Sequence, residues 1–120
     1  MIDLWVALAG GAGALARFVV DGAVRSRWPS GFPWSTVLIN VSGSFALGVL
    51  TGLVIFRNDP NTLRLVLGTG LCGGYTTFGT ASVETVRLAQ RGAVVVAAGY
   101  ALGSLVLAAG AAAAGLLVTR

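Results

Sequence analysis

Between Gly68 and Glu84 the chain reads GTGLCGGYTTFGTASVE, dense in glycine and hydroxyl residues and uncharged until its last position. All but its last residue lies inside an apolar run, Leu65 to Val83, long enough to cross a bilayer. Gly70, Gly73 and Gly74 disfavour a continuous helix, and Thr76 and Thr77 can cap a restarted one, so the spacing predicts a helix broken at Gly73–Thr77. A break at membrane depth frees backbone groups that protein, water or an ion must satisfy. Freed carbonyls suit a hard cation such as Na⁺, with Gly73 and Thr76 as candidate donors where two inverted copies meet. The side chains available around the break are hydroxyls (Thr76, Thr77, Thr80, Ser82, Tyr100, Ser104), the Asn40 amide and the Phe78 ring. Every polar one can donate a hydrogen bond and none is anionic, and a ring edge is positive, so the set favours passage of an anion.

Four apolar segments must position these groups, at about residues 4–24, 33–56, 63–88 and 92–118, in a single membrane domain of all-α class. On the first, Ala9, Gly13 and Arg17 share a face that continues to Asp21 and Arg25. Arg17 is either an interfacial arginine paired with Asp21 or a fixed positive charge near an aqueous mouth. On the second, Thr36, Asn40, Ser44, Gly48 and Gly52 recur every fourth residue, a polar and small stripe that must face protein. Asn40 there either bonds another helix or meets a passing solute. Tyr100, Ser104 and Ala108 form a matching stripe on the fourth segment. Loops are expected at Ser26–Trp34, punctuated by Pro29, Gly31 and Pro33, at Arg57–Thr62, and at Gln90–Gly92.

Composition sets the class: 120 residues, 56% apolar and 10% charged, with 18 glycines. There is no His, so histidine metal sites and histidine acid–base chemistry are excluded; no nucleophile–base pair or phosphate loop marks an enzyme. Cys72, the single cysteine, is expected to be a small buried apolar residue. Asp3 stands where a signal peptide would carry a basic residue, so no cleaved leader is expected. The formal charge of +4 comes from arginines scattered at helix ends, which suits membrane topology and not nucleic acid. Arg25, Arg27, Arg87 and Arg91 fall on one side of a four-span layout, and Arg57, Arg64 and Arg120 on the other. So small a bias permits insertion either way round, and with it an antiparallel dimer or pairing with a partner subunit of opposite bias.

The pieces GGAGALARF (Gly10–Phe18), STVLINVSGSFALG (Ser35–Gly48), GTGLCGGYTTFGTASVE and YALGS (Tyr100–Ser104) resemble, in order, the signatures of the Fluc, or CrcB-type, fluoride channels. The resemblance implies a dual-topology dimer in the cell membrane that passively exports cytoplasmic fluoride and so lowers its toxicity. It further implies a structural Na⁺ at the dimer centre on the carbonyls of Gly73 and Thr76, and a fluoride pathway mapped to Asn40, Thr77, Phe78, Tyr100, Ser104 and Arg17. Glu84 matches a carboxylate that follows the family's motif. One position departs: the pattern usually carries a second phenylalanine where this chain has Ala81. Ala108 also thins the polar track. These departures suggest a subunit of a heterodimer with a paralogous chain, the alternative being a self-sufficient homodimer. A four-helix proton-coupled drug transporter is a rival, but it needs a membrane-embedded carboxylate in the first segment, which has Asp3 and Asp21 only near its ends. A non-conducting scaffold is another, although it would not need an amide and hydroxyls in register on several helices.

Overall fold

The computed structural model describes residues 1–28, 32–57 and 61–120, with Leu63 described by its backbone alone. The expected loop residues Pro29 and Gly31, and Asp59 in the Arg57–Thr62 loop, lie outside the described residues. The described chain is helical, without a strand. Three long helices, α1 (Ile2–Arg27), α2 (Trp34–Arg57) and α6 (Val94–Val118), are long and apolar enough to cross a membrane. α1 closes with Arg25 and Arg27, and α2 with Arg57, cations placed against the negative end of the helix dipole. α2 begins after buried Pro33, which lacks the amide hydrogen that a helix start would leave unpaired.

Between α2 and α6 the chain is helical in pieces. A first turn, α3 (Asn61–Leu63), leads into a π-helix over Arg64–Cys72 and a further α-turn, α4 (Gly73–Tyr75). Thr76 (φ −80°, ψ 159°) and Thr77 (φ −149°, ψ 119°) are then extended, and α5 (Phe78–Gln90) restarts the helix. The Thr77 side chain accepts a hydrogen bond from the Thr80 amide, a threonine cap on the new helix. The turn into α6 is made by Gly92 at φ +82°, where a side chain would be strained.

The glycines before the threonines do not themselves leave helical geometry. They give close packing: a Cβ on Gly74 would run into the Gly10 carbonyl, and one on Gly13 into the Leu71 carbonyl. Residues 64–75 therefore pack on α1, backbone to backbone over 70–75, and run in the same direction, because Val6 meets Gly70 and Gly10 meets Gly74. α2 and α6 form the most extensive pairing by the same device. A Cβ on Gly48 would strike the Ala112 carbonyl, and one on Gly115 the Phe45 carbonyl. The contacts advance together, Gly48 with Ala112 and Gly52 with Thr119, so this pair is also parallel. Small residues that let backbones touch are how helices associate where lipid removes the hydrophobic drive.

The molecule measures 48 × 28 × 23 Å, its long axis matching the depth of a bilayer with its headgroups, about 40–45 Å. Leu15, Phe18, Val95 and Val106 are among the large apolar side chains left facing outward. Trp28 and Trp34 are exposed near the α1–α2 connection, as expected of headgroup-level anchors.

Candidate functional site

The break in helical geometry at the extended residues Thr76 and Thr77 is held by one side chain. Asn40, on α2, accepts a hydrogen bond from the Thr77 amide through Oδ1 (2.8 Å) and donates one from Nδ2 to the Thr77 carbonyl (3.0 Å). Both backbone groups of an extended residue are thus satisfied by one side-chain amide, which carries an acceptor and a donor on separate atoms. Asn40 is accordingly a helix-to-helix brace, and the part-buried amide sits at the break and not at a distance from it.

That brace has a backbone consequence. In an unbroken helix the Thr77 amide would serve the Gly73 carbonyl, and the Thr80 amide the Thr76 carbonyl. Here the first goes to Asn40 and the second to the Thr77 hydroxyl. The carbonyls of Gly73 and Thr76 lose their helical donors, and among the described residues no replacement reaches them. Gly73 is exposed and Thr76 half-buried.

An open groove of about 580 Å³ runs beside the break between α2, α5 and α6. Asn40, Thr76, Thr77, Phe78, Ser82 and Ser104 line it, and none of its lining residues is ionisable. Ser104 is half-buried and donates to the Ala101 carbonyl. Phe78 is 87% exposed at the groove's edge, its ring free on the molecular surface. Ala81 and Ala108 line the same groove.

One helical turn away, Thr36, Glu84 and Tyr100 form a second polar layer. The Thr36 hydroxyl donates to Glu84 Oε1 (2.6 Å) and the Tyr100 hydroxyl approaches the same oxygen (3.3 Å). Arg25 meets Oε2 at 3.3 Å, so one carboxylate from α5 joins α1, α2 and α6. Tyr100 is only 2% exposed and meets the Phe32 ring edge-on, with centroids 5.4 Å apart. It packs with Leu88 and Ala97, and Ala81 lies against that cluster.

Arg17 lies elsewhere. It lines a separate cavity of about 360 Å³ with Phe18, Asp21, Thr36, Thr77 and Thr80, on the α1 side of the break. Asp21 makes its direct bonds to Arg25 (2.8 Å) and Ser35, and Arg17 acts on it only through its charge, without an ion-pair contact. Thr77 lines both cavities, so it stands between Arg17 on one side and Ser104 on the other. The structure thus gathers Asn40, Thr77, Phe78 and Ser104 at one groove. It sets Tyr100 in the adjoining Glu84 layer and Arg17 across the break. The role of Thr36 and Glu84 as a layer is missed by motif reading, although the four-residue steps Thr36–Asn40 and Tyr100–Ser104 carry its signal. Cys72 is buried and unbonded to sulfur, and among the described residues no cluster of His, Cys, Asp or Glu could hold a metal.

Comparison with known proteins adds a family. A family model described as CrcB-like protein, Camphor Resistance (CrcB), matches residues 4–116. A protein of Leifsonia xyli subsp. xyli named fluoride-specific ion channel FluC 1 is 52% identical over 116 residues, covering 97% of this chain and 85% of its own length. A protein of Nitrobacter winogradskyi named fluoride-specific ion channel FluC is 44% identical, covering 98% of this chain and 94% of its own length. A third, from Streptomyces avermitilis and named fluoride-specific ion channel FluC 1, is 45% identical over 93% of this chain and 92% of its own length. The match spans the three long helices and the interrupted segment between them, and on that ground the chain belongs to the CrcB-like family.

Proposed function

We propose that this chain is a subunit of a fluoride-specific ion channel of the cell membrane, conducting passively and with no enzymatic step. The observation that carries the reading is the groove at the break: hydrogen-bond donors from α2, α5 and α6 line it and no carboxylate does. Its agreement with the names of the relatives is the second support. A small anion stripped of water loses tens of kcal/mol of solvation on a Born estimate. Preorganised donors recover part of that only if no like charge opposes them. Thr77 and the remaining N–H of Asn40 supply donors, Ser104 would add one on turning from the Ala101 carbonyl, and the outward Phe78 ring offers its positive edge.

The two-residue interruption at Thr76–Thr77 is read as a broken third membrane span. The long apolar surface and the near-balanced arginines favour a dimer of two oppositely inserted copies, in which the exposed Phe78 would be covered. A structural Na⁺ fits the residues present: the Gly73 and Thr76 carbonyls are hard oxygen donors whose helical partners have been diverted. Bound there, the ion would supply positive potential at membrane depth. A second reading is favoured by Ala81 and Ala108, which put methyl groups on the groove where a ring and a hydroxyl would serve an anion better. In that reading the chain is the less polar partner of a heterodimer with a paralogous subunit.

The test is efflux from liposomes containing this chain alone, comparing fluoride with chloride. Fluoride flux well above chloride flux is expected of the homodimeric channel. Flux appearing only on co-reconstitution with a paralogue selects the heterodimer. Flux in neither case overturns the channel reading.

A further inference from the structure

Beside the Glu84 layer lies a pocket of about 180 Å³ lined by Arg25, Arg87 and Arg91 together with Glu84, Phe32 and Pro33. The pocket belongs neither to the groove nor to the break. Its charges are unequal. Glu84 is met by Arg25, which also serves Asp21. Arg87, in the last turn of α5, and Arg91, the residue that caps its C-terminus, make no ion pair among the described residues. Three guanidinium groups therefore face one lining carboxylate, and two of the three have no counter-charge of their own.

We propose that this pocket is an anion-capture site at the aqueous mouth of the conducting route, with Arg87 and Arg91 as its collecting charges and Arg25 as the group that offsets Glu84. The proposal rests on the channel reading and names the entrance to it. Position supports the assignment. Glu84 lines the pocket and is bonded by Thr36 and Tyr100, each one helical turn from the groove residues Asn40 and Ser104. An anion leaving the groove at this end would meet the Glu84 carboxylate next, and an uncompensated negative charge there would repel it. Arg25 lies 3.3 Å from that carboxylate, and the two unpaired arginines make the far side of it positive. A mouth carrying one sign of charge with low-dielectric walls concentrates the opposite ion and speeds its arrival, and salt weakens the effect. Arg87 and Arg91 are exposed, which suits charges that act on ions in water.

The experiment compares the wild-type chain, the double variant Arg87→Gln/Arg91→Gln and the charge-keeping double variant Arg87→Lys/Arg91→Lys in liposomes at matched incorporation. Initial fluoride efflux is measured from subsaturating fluoride, at low ionic strength and in high concentrations of an impermeant salt. The glutamine variant should run about 10-fold slower than wild type at low ionic strength, the lower end of the range for electrostatic steering. That gap should close in high salt, and the lysine variant should keep near-wild-type flux in both. Equal flux of the glutamine variant and wild type at low ionic strength overturns the proposal. So does a loss that salt leaves unchanged and lysine fails to rescue, which would assign the two arginines to packing or to bidentate hold on a lipid phosphate. If the wild-type chain passes no fluoride, alone or with a paralogue, the channel reading falls first and the capture site with it. A conducting wild type with an unaffected glutamine variant removes the capture site alone.

Discussion

The two ends of the α2–α6 pair are built on different principles. From Phe45 onward the helices touch closely, with Gly48 on the Ala112 carbonyl, Gly115 on the Phe45 carbonyl and the Thr119 side chain over Gly52. Before Phe45 the groove lies between α2, α5 and α6, and what joins these helices is polar: Thr36 and Tyr100 through Glu84, and Asn40 through Thr77. A glycine seam tolerates no added atom, whereas a hydrogen-bonded end tolerates atoms but not loss of a partner. The difference teaches where a substitution should act on assembly and where on transport.

Several substitutions press on that contrast. Gly48→Leu should be the most damaging to the fold, since backbone carbonyls cannot step aside as a side chain can. A loss of about 3 kcal/mol or more is expected, read as failure to elute as a monodisperse species in detergent. A well-behaved Gly48→Leu protein would show that the seam is looser than its contacts suggest. Asn40→Ala comes next, because it strands two backbone groups of Thr77 at about 1–3 kcal/mol each, seen as a lower thermal midpoint together with lost flux. Asn40→Asp keeps the acceptor for the Thr77 amide but removes the donor to its carbonyl and adds a negative charge to the groove. It should impair fluoride flux more than it lowers the midpoint, and normal transport would make Asn40 a brace only. Thr77→Val removes the cap on α5 and should cost about 1 kcal/mol. Phe78→Ile should shift the stability of the single protomer by no more than about 0.5 kcal/mol, since the ring is exposed there. Its fluoride flux should nevertheless fall roughly tenfold or more, equivalent to about 1.4 kcal/mol at the barrier. Unchanged flux in Phe78→Ile would remove the ring from the conducting route.

Much of this architecture can be read from residue types. The apolar runs place α1, α2 and α6, and the small-residue stripe on α2 correctly turns Gly48 and Gly52 toward protein. The exact site of the interruption was harder to see. Gly73 and Gly74 look like helix breakers because their propensity is poor, yet they stay helical because α1 presses its backbone onto them. The extended residues are the two threonines, selected by Asn40 from a distant part of the chain, and a long-range partner leaves no local signal. The π-helix was invisible for the same reason: no residue pattern separates it from an α-helix. Arg17 and Asp21 stand one turn apart and suggest a pair, but Ser35 and Arg25 reach Asp21 in the folded chain. Glu84 was legible as a carboxylate after the motif, whereas its three-helix hub depends on tertiary register.

The wide helix over Arg64–Cys72 carries a developmental constraint on sequence length. Each of its turns encloses about one residue more than an α-turn, so the angular phase at which Gly73 emerges is counted out by the residues before it. Shortening this stretch by a single position would let it tighten toward ordinary helix and rotate everything downstream, carrying Thr77 out of reach of Asn40. Insertions and deletions should therefore be scarcer here than side-chain changes, because the spacing acts as a gauge as much as the chemistry does.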